Sequence, residues 1–192
     1  MFELLFPFFL ILLVFLVLAI IWRNNARKYI SSSTVASAYD AWTQDKLLER
    51  LWGEHIHLGF YPSGKKNIDF RKAKVHFVHE LVKWSGLDKL PQGSRILDVG
   101  CGIGGSSRIL AEYYGFNVTG ITISPAQVKR ARELTPNSLN CKFQVMDALD
   151  LKFEDGSFDA VWSVEAGAHM NDKTRFANEM LRTLRRRVFG IG

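Results

Sequence analysis

Four glycines crowd the six positions from Gly100 to Gly105, directly behind the short apolar run Ile96–Val99, whose one polar member is Asp98. A strand that ends in such a turn and is followed at once by a helical pattern confines the chain to the α/β folds in which backbone closely approaches a ligand. The flanking sequence continues the alternation. RILDV reads as a first strand, SSRILAEYY as a helix stopped by Gly115, NVTGITI as a second strand and SPAQVKRARELT as a second helix. CKFQV and FDAVWSV read as third and fourth strands, and a helix runs from Asp172 to about Leu184. Strand–helix alternation of this kind predicts right-handed βαβ units and a parallel sheet, with the ligand outside the carboxyl ends of the strands.

Gly100, Gly102 and Gly105 satisfy the G-x-G-x-x-G dinucleotide fingerprint, a weak signal on its own. Asp98 argues against that ligand, because a carboxylate beside the turn repels a pyrophosphate. A cation suits it better. S-adenosylmethionine, with an ammonium and a sulfonium against one carboxylate, fits an acid beside close-approach glycines, and Gly100, Gly102 and Gly104 complete a D-x-G-x-G-x-G arrangement. The second strand ends in Thr122, where an acid would normally accept from ribose hydroxyls; a hydroxyl does so more weakly. Ser124-Pro125-Ala126-Gln127 reads as a capping box, so Gln127 is a helix cap as well as a ribose candidate. Asp147 and Ala148 follow the third strand, where a carboxylate and an amide could meet an adenine.

Ahead of this domain lies an uncharged apolar run of 19 residues, Leu4 to Trp22. As a helix it is about 28 Å long, enough for the hydrocarbon layer of a membrane. It lacks the basic n-region and small-x-small site of a cleaved signal peptide, and Arg23, Arg27 and Lys28 follow it, which places that end on the cytoplasmic side. Residues 1–22 are therefore expected to form a transmembrane anchor and residues 23–38 a Ser-rich linker. A helical lid segment is expected over 39–90, with one helix from Tyr39 to about Trp52 and another from about Ile68 to Ser85, stopped by Gly86. The net charge is +6, with basic clusters at Lys65–Lys74 and Arg182–Arg187. Such clusters favour anionic lipid or are simply a solvated face; no recognition motif accompanies them, so nucleic acid is not expected. Cys101 and Cys141 are expected as free thiols. His76 and His79 lack a third ligand, and no metal is expected.

The stretches ILDVGCGIGGSSRILAEYYGFNVTGITISPAQVKRA, FEDGSFDAVWSVEAGAHM and AYDAWTQDKLLERLWGEHIHLGFY resemble the tocopherol-type C-methyltransferases, from the anchor to about Leu184. The resemblance implies a class I S-adenosylmethionine methyltransferase fold and methylation of a lipid-soluble prenyl benzoquinol at a membrane. It implies that Asp98, Gly100, Gly102, Gly104, Thr122, Gln127, Asp147 and Ala148 hold the cofactor, and that the threonine in place of the acid is ordinary for the wider group. Ring methylation needs a base near pKa 7; His169, with Glu165 as its orienter or as a cofactor contact, is the favoured candidate. His55 and His57 fall in the family's lid. The family continues with a lysine-proline-glycine-glycine turn, a fifth strand and sheet order 3-2-1-4-5-7-6, whereas this sequence closes with LRTLRRRVFGIG. That predicts an incomplete sheet of four strands with the fourth as a bare edge. Two alternatives stay open beside the prenyl-benzoquinol enzyme: a non-catalytic truncated fragment, or activity on gamma-tocopherol.

Overall fold

The computed structural model describes residues 12–18, 32–63 and 67–185. The chain divides into two units, Met1–Ser31 and Ser32–Gly192. In the first, residues 12–18 are helical with exposed side chains. Most of the expected anchor, and residues 23–31 of the expected linker, lie outside the described residues; among the described residues no helix is long and apolar enough to cross a membrane.

The second unit carries α1 (Ser32–Gln44), α2 (Leu47–Trp52) and α3 (Phe70–Ser85), then β1 (Arg95–Val99), α4 (Gly105–Tyr114), β2 (Asn117–Thr122), α5 (Pro125–Leu134), β3 (Cys141–Val145), β4 (Ala160–Trp162) and α6 (Lys173–Thr183). The sheet is parallel, in the order β3-β2-β1-β4 expected for the first four strands. Asp98 lies opposite Gly120 on one side and Trp162 on the other, and Thr122 lies opposite Val145, so the carboxyl ends of the four strands form one rim.

Alternation along β1 sorts the core into two layers. Ile96 packs with Val78, Val82, Leu110, Phe116 and Val118 beneath α3 and α4. Leu97 and Val99 turn the other way, to Ile121, Leu151, Phe158 and Phe176 on the α6 side. Phe143 of β3 lies over Gly120, where an added Cβ would come within 2.8 Å of its ring. Helix ends follow the sequence signals. Asp69 caps α3 by accepting from the amides of Arg71 and Lys72, Gly86 closes it in the left-handed conformation, and Ser124 and Asp172 cap α5 and α6.

Two expectations are corrected. Helix begins at Ser32, inside the predicted linker 23–38, because α1 packs on α5 and tertiary burial outweighs the modest helix propensity of its serines. The single helix expected over Tyr39–Trp52 is two: Lys46 adopts the left-handed conformation (φ 55°) and turns the chain. This break directs Glu49 onto the Arg130 guanidinium of α5, with contacts of 2.6 and 2.8 Å.

The outer side of β4 is partly covered at its start. Phe158 donates to Thr183 O at 3.0 Å and accepts from the Arg185 amide at 2.7 Å, and Leu184 bridges Phe158 in parallel. The expected bare edge is thus confined to Ala160–Trp162 among the described residues, and residues 186–192 lie outside them.

Candidate active site

The glycine turn leaves β1 at the middle of the rim. Gly100, Gly102 and Gly104 all take positive φ, of 81°, 56° and 82°. At Gly104 a side chain would also enter the Phe143 ring, 2.7 Å from Cζ, whereas nothing stands within 4 Å of a Cβ at Gly102, so the middle of the turn faces open space. The amides of Gly100 and Cys101 are held by Ile121 O at 2.9 and 3.0 Å, which ties the turn to β2.

Asp98 lies beneath this turn, 2% exposed, and accepts from Ser107 Oγ at 2.6 Å in the first turns of α4. Burial pushes its carboxyl up to about 6, and the Ser107 hydroxyl only partly offsets that. An anion carrying so large a desolvation cost is poised for a cationic partner.

At the end of β2 the buried Thr122 hydroxyl donates to Gln127 Oε1 at 2.6 Å and accepts from the Ser124 amide at 3.3 Å. Ser124 Oγ accepts from the Gln127 amide at 3.1 Å, so half of the capping box forms as read. The other half runs through Thr122, which joins Thr122 and Gln127 into one polar group at the rim. Asp147 accepts from the Leu149 amide at 2.9 Å and so shapes its own turn, while Ala148 is buried in the α6-side core. Both sit one strand beyond Thr122, since Met146 donates to Thr122 O at 3.0 Å.

Beyond β4, Glu165 holds a left-handed backbone (φ 57°), a conformation that costs a non-glycine residue about 1 kcal/mol or more. Its carboxylate accepts from the Leu58 amide of the lid at 3.0 Å. His169 Nε2 lies 2.9 Å from Tyr39 Oη of α1. Glu165 and His169 therefore each bind the N-terminal segment, and no hydrogen bond joins them to each other among the described residues.

The lid closes over the turn. The Glu54 carbonyl and the His55 ring crowd Gly105, whose Cβ would lie 2.7 and 2.8 Å from them. Glu54 pairs with the buried Arg108 guanidinium, which also donates to Ile103 O at 2.8 Å. His57 Nδ1 lies 2.8 Å from Leu58 O and therefore donates to it; His57 Nε2 then accepts from His55 Nδ1 at 3.1 Å. Burial pushes His55 down to about 3 and also lowers His57, so both rings are neutral at pH 7. This is a packed lid, and no group of metal ligands occurs among the described residues. His79 meets Tyr114 Oη at 2.8 Å, and both cysteines are free.

Two site residues carry no signal in the sequence. Tyr39 and Asp40 come from α1, and Asp40 Oδ1 accepts from Ser124 Oγ and from the Ala126 amide, capping α5 from 84 residues away. A small cleft open to solvent lies between these elements, lined by Tyr39, Trp42, Thr43, Ile56, Ile103 and Gln127.

Sheet order and glycine turn together give the fold of the class I S-adenosylmethionine-dependent methyltransferases. Residues 97–189 match a family model described as methyltransferase domain. Over 182 residues, 95% of this chain and 57% of the relative, the chain is 59% identical to the 2-methyl-6-phytyl-1,4-hydroquinone methyltransferase of Synechocystis sp. (strain ATCC 27184 / PCC 6803 / Kazusa). It is 44% identical over 146 residues to the chloroplastic tocopherol O-methyltransferase of Arabidopsis thaliana, covering 71% of this chain and 42% of that one. The chain thus spans about half the length of the curated relatives it matches. Among solved structures, the [4+2]-cyclase SpnF is similar, with a TM-score of 0.71 and 29% identity over 81% of this chain and 57% of that one. A fold shared with a protein named a cyclase leaves the reaction to be argued from the site.

Proposed function

We propose that this chain carries the cofactor site of an S-adenosylmethionine-dependent C-methyltransferase acting on a membrane prenyl benzoquinol of the 2-methyl-6-phytylbenzoquinol type, in tocopherol or plastoquinone synthesis. The observation that carries this is the buried Asp98 carboxylate under an open glycine turn, at the rim of a parallel sheet in a chain 59% identical to a hydroquinone methyltransferase. When bound, the cofactor supplies an electrophilic methyl group. Asp98, the backbone of Gly100, Gly102 and Gly104, and Thr122 with Gln127 would hold it, with Asp147 and Ala148 at the adenine side.

His169 is the candidate base. In the tautomer whose Nε2 accepts from the Tyr39 hydroxyl, that nitrogen carries a lone pair, and a quinol hydroxyl taking the place of Tyr39 would find an acceptor there. Loss of that proton makes the ring carbon ortho or para to it nucleophilic. Glu165 positions the lid through the Leu58 amide. The apolar run Leu4–Trp22 supports a membrane anchor with this domain on the cytoplasmic face, where a lipid-soluble quinol is met by diffusion in the plane of the bilayer.

The test is calorimetric titration of the detergent-solubilised chain with S-adenosylmethionine and, separately, with NADH, followed by transfer of radiolabelled methyl to 2-methyl-6-phytylbenzoquinol. Binding of the methyl donor alone, with transfer, is expected. Uptake of NADH would overturn the cofactor reading. Donor binding without transfer would favour a binding unit that lacks turnover, the alternative raised by the share of the relatives the chain spans.

A further inference from the structure

The lid segment presents an apolar surface that the methyl-transfer chemistry does not use. Leu51, Trp52, Leu58, Phe60, Tyr61 and Phe70 are all exposed, Leu58 by 75%, Tyr61 by 54% and Trp52 by 50%. Two cations hold the segments that carry them side by side. Arg71 donates to the Arg50 and Leu51 carbonyls at 2.7 and 3.4 Å. Lys74 Nζ donates to the Trp52 and His55 carbonyls at 3.1 and 2.8 Å, and lies 5.7 and 5.3 Å from the rings of Trp52 and Phe70. The Phe60 amide donates to Ala73 O at 2.9 Å and seats the loop along α3. A contiguous group of exposed aromatic and aliphatic side chains marks an interaction site more often than an idle surface.

Charge says what kind of partner fits. From Lys46 to Val75 inclusive the sequence has seven Lys or Arg and three Asp or Glu. All three acids are engaged: Glu49 with Arg130, Glu54 with Arg108 and Asp69 at the cap of α3. Among the described residues no salt bridge uses the exposed Arg50, Arg71 or Lys72, while Lys74 is buried against the two carbonyls it serves. Rings that carry a polar edge, aliphatic groups and uncompensated cations on one face match the headgroup region of an anionic bilayer.

We propose that the face formed by α2, the lid loop and the start of α3 docks on an anionic lipid surface. Trp52, Tyr61 and Phe70 would sit at the level of the headgroups, with Arg71 and Lys72 against phosphates. The preference for a bilayer over a protein partner rests on the prenyl-quinol reading. The face adjoins the site, since the Leu58 amide is the group held by Glu165, so docking would open the lid region to a substrate dissolved in the lipid.

The full chain is reconstituted into vesicles of phosphatidylcholine, alone or mixed with phosphatidylglycerol, whose acyl chains are brominated near the headgroup. Subtracting the quenching of a Trp52→Phe variant isolates Trp52 from the other four tryptophans, Trp22 included. Trp52-specific quenching is expected in the mixed vesicles. It should fall roughly fivefold or more in Lys72→Glu, the factor one basic residue contributes at such a surface, and vanish in L51E/Y61E. Donor affinity in detergent is measured in the same proteins; its loss in wild type would refute the cofactor reading and leave the docking result to stand by itself. Unquenched Trp52 in mixed vesicles, equal quenching in L51E/Y61E and wild type, or burial of Trp52 by concentration-dependent self-association would each overturn the proposal.

Discussion

Replacing Asp98 with Asn should make the apo protein more stable at pH 7 while impairing the site. The carboxyl is 2% exposed and its pKa is raised by burial from 3.8 to about 6. A rise of about two units, at 1.36 kcal/mol each, corresponds to roughly 3 kcal/mol of destabilisation once the group is ionised. The folded state holds this proton more tightly than the unfolded chain, so the contribution is most favourable below pH 3.8, declines from there to pH 6, and stays lost above. Asn is nearly isosteric and can still accept from Ser107. The wild-type curve alone is not diagnostic, because His55, depressed from 6.5 to about 3, acts in the opposite sense: its contribution is complete above pH 6.5 and lost as pH falls towards 3. The difference between variant and wild type cancels His55. Urea unfolding in mild detergent at pH 3.5, 5 and 7, followed by the fluorescence of buried Trp162 and by circular dichroism, should give a gap near zero at the lowest pH, growing to about 3 kcal/mol at the highest. Donor affinity should fall in the variant by roughly tenfold to a hundredfold, the range for a hydrogen bond to a charged group. A gap that does not change with pH, or a variant less stable than wild type at pH 7, would refute the claim that Asp98 is a buried anion held for a cation.

Other perturbations follow from the same geometry. Gly104→Ala puts a Cβ 2.7 Å from Phe143 at φ 82° and should cost about 2–4 kcal/mol in denaturant unfolding. Asp40→Ala removes the remote cap of α5 and should cost roughly 1 kcal/mol, with faster hydrogen exchange at the Ala126 amide reporting the lost contact. Tyr39→Phe deletes the hydroxyl beside His169 Nε2 and should change the His169 ring chemical shifts seen by NMR at fixed pH, with little change in donor affinity. Glu54→Gln leaves the buried Arg108 guanidinium without the half-exposed carboxylate that faces it and should destabilise by about 1 kcal/mol in denaturant unfolding.

Much of this domain was legible in the order of residues. Period-two and period-3.6 runs, punctuated by Gly86, Gly115 and Ser124-Pro125, determined where strands and helices fall, because each signal acts within one turn or one strand. The glycine turn and Asp98 were legible for the same reason: positive φ and a carboxylate at a strand end are local properties. What only the tertiary structure decided are contacts between residues remote in sequence. His169 meets Tyr39 across 130 positions and Ser124 meets Asp40 across 84. Glu165 holds the lid through Leu58, and α1 begins inside a serine-rich stretch because α5 offers it a surface. Whether such groups touch depends on how packed layers aim side chains at distances below 3 Å, and no local pattern of residue types encodes that aim.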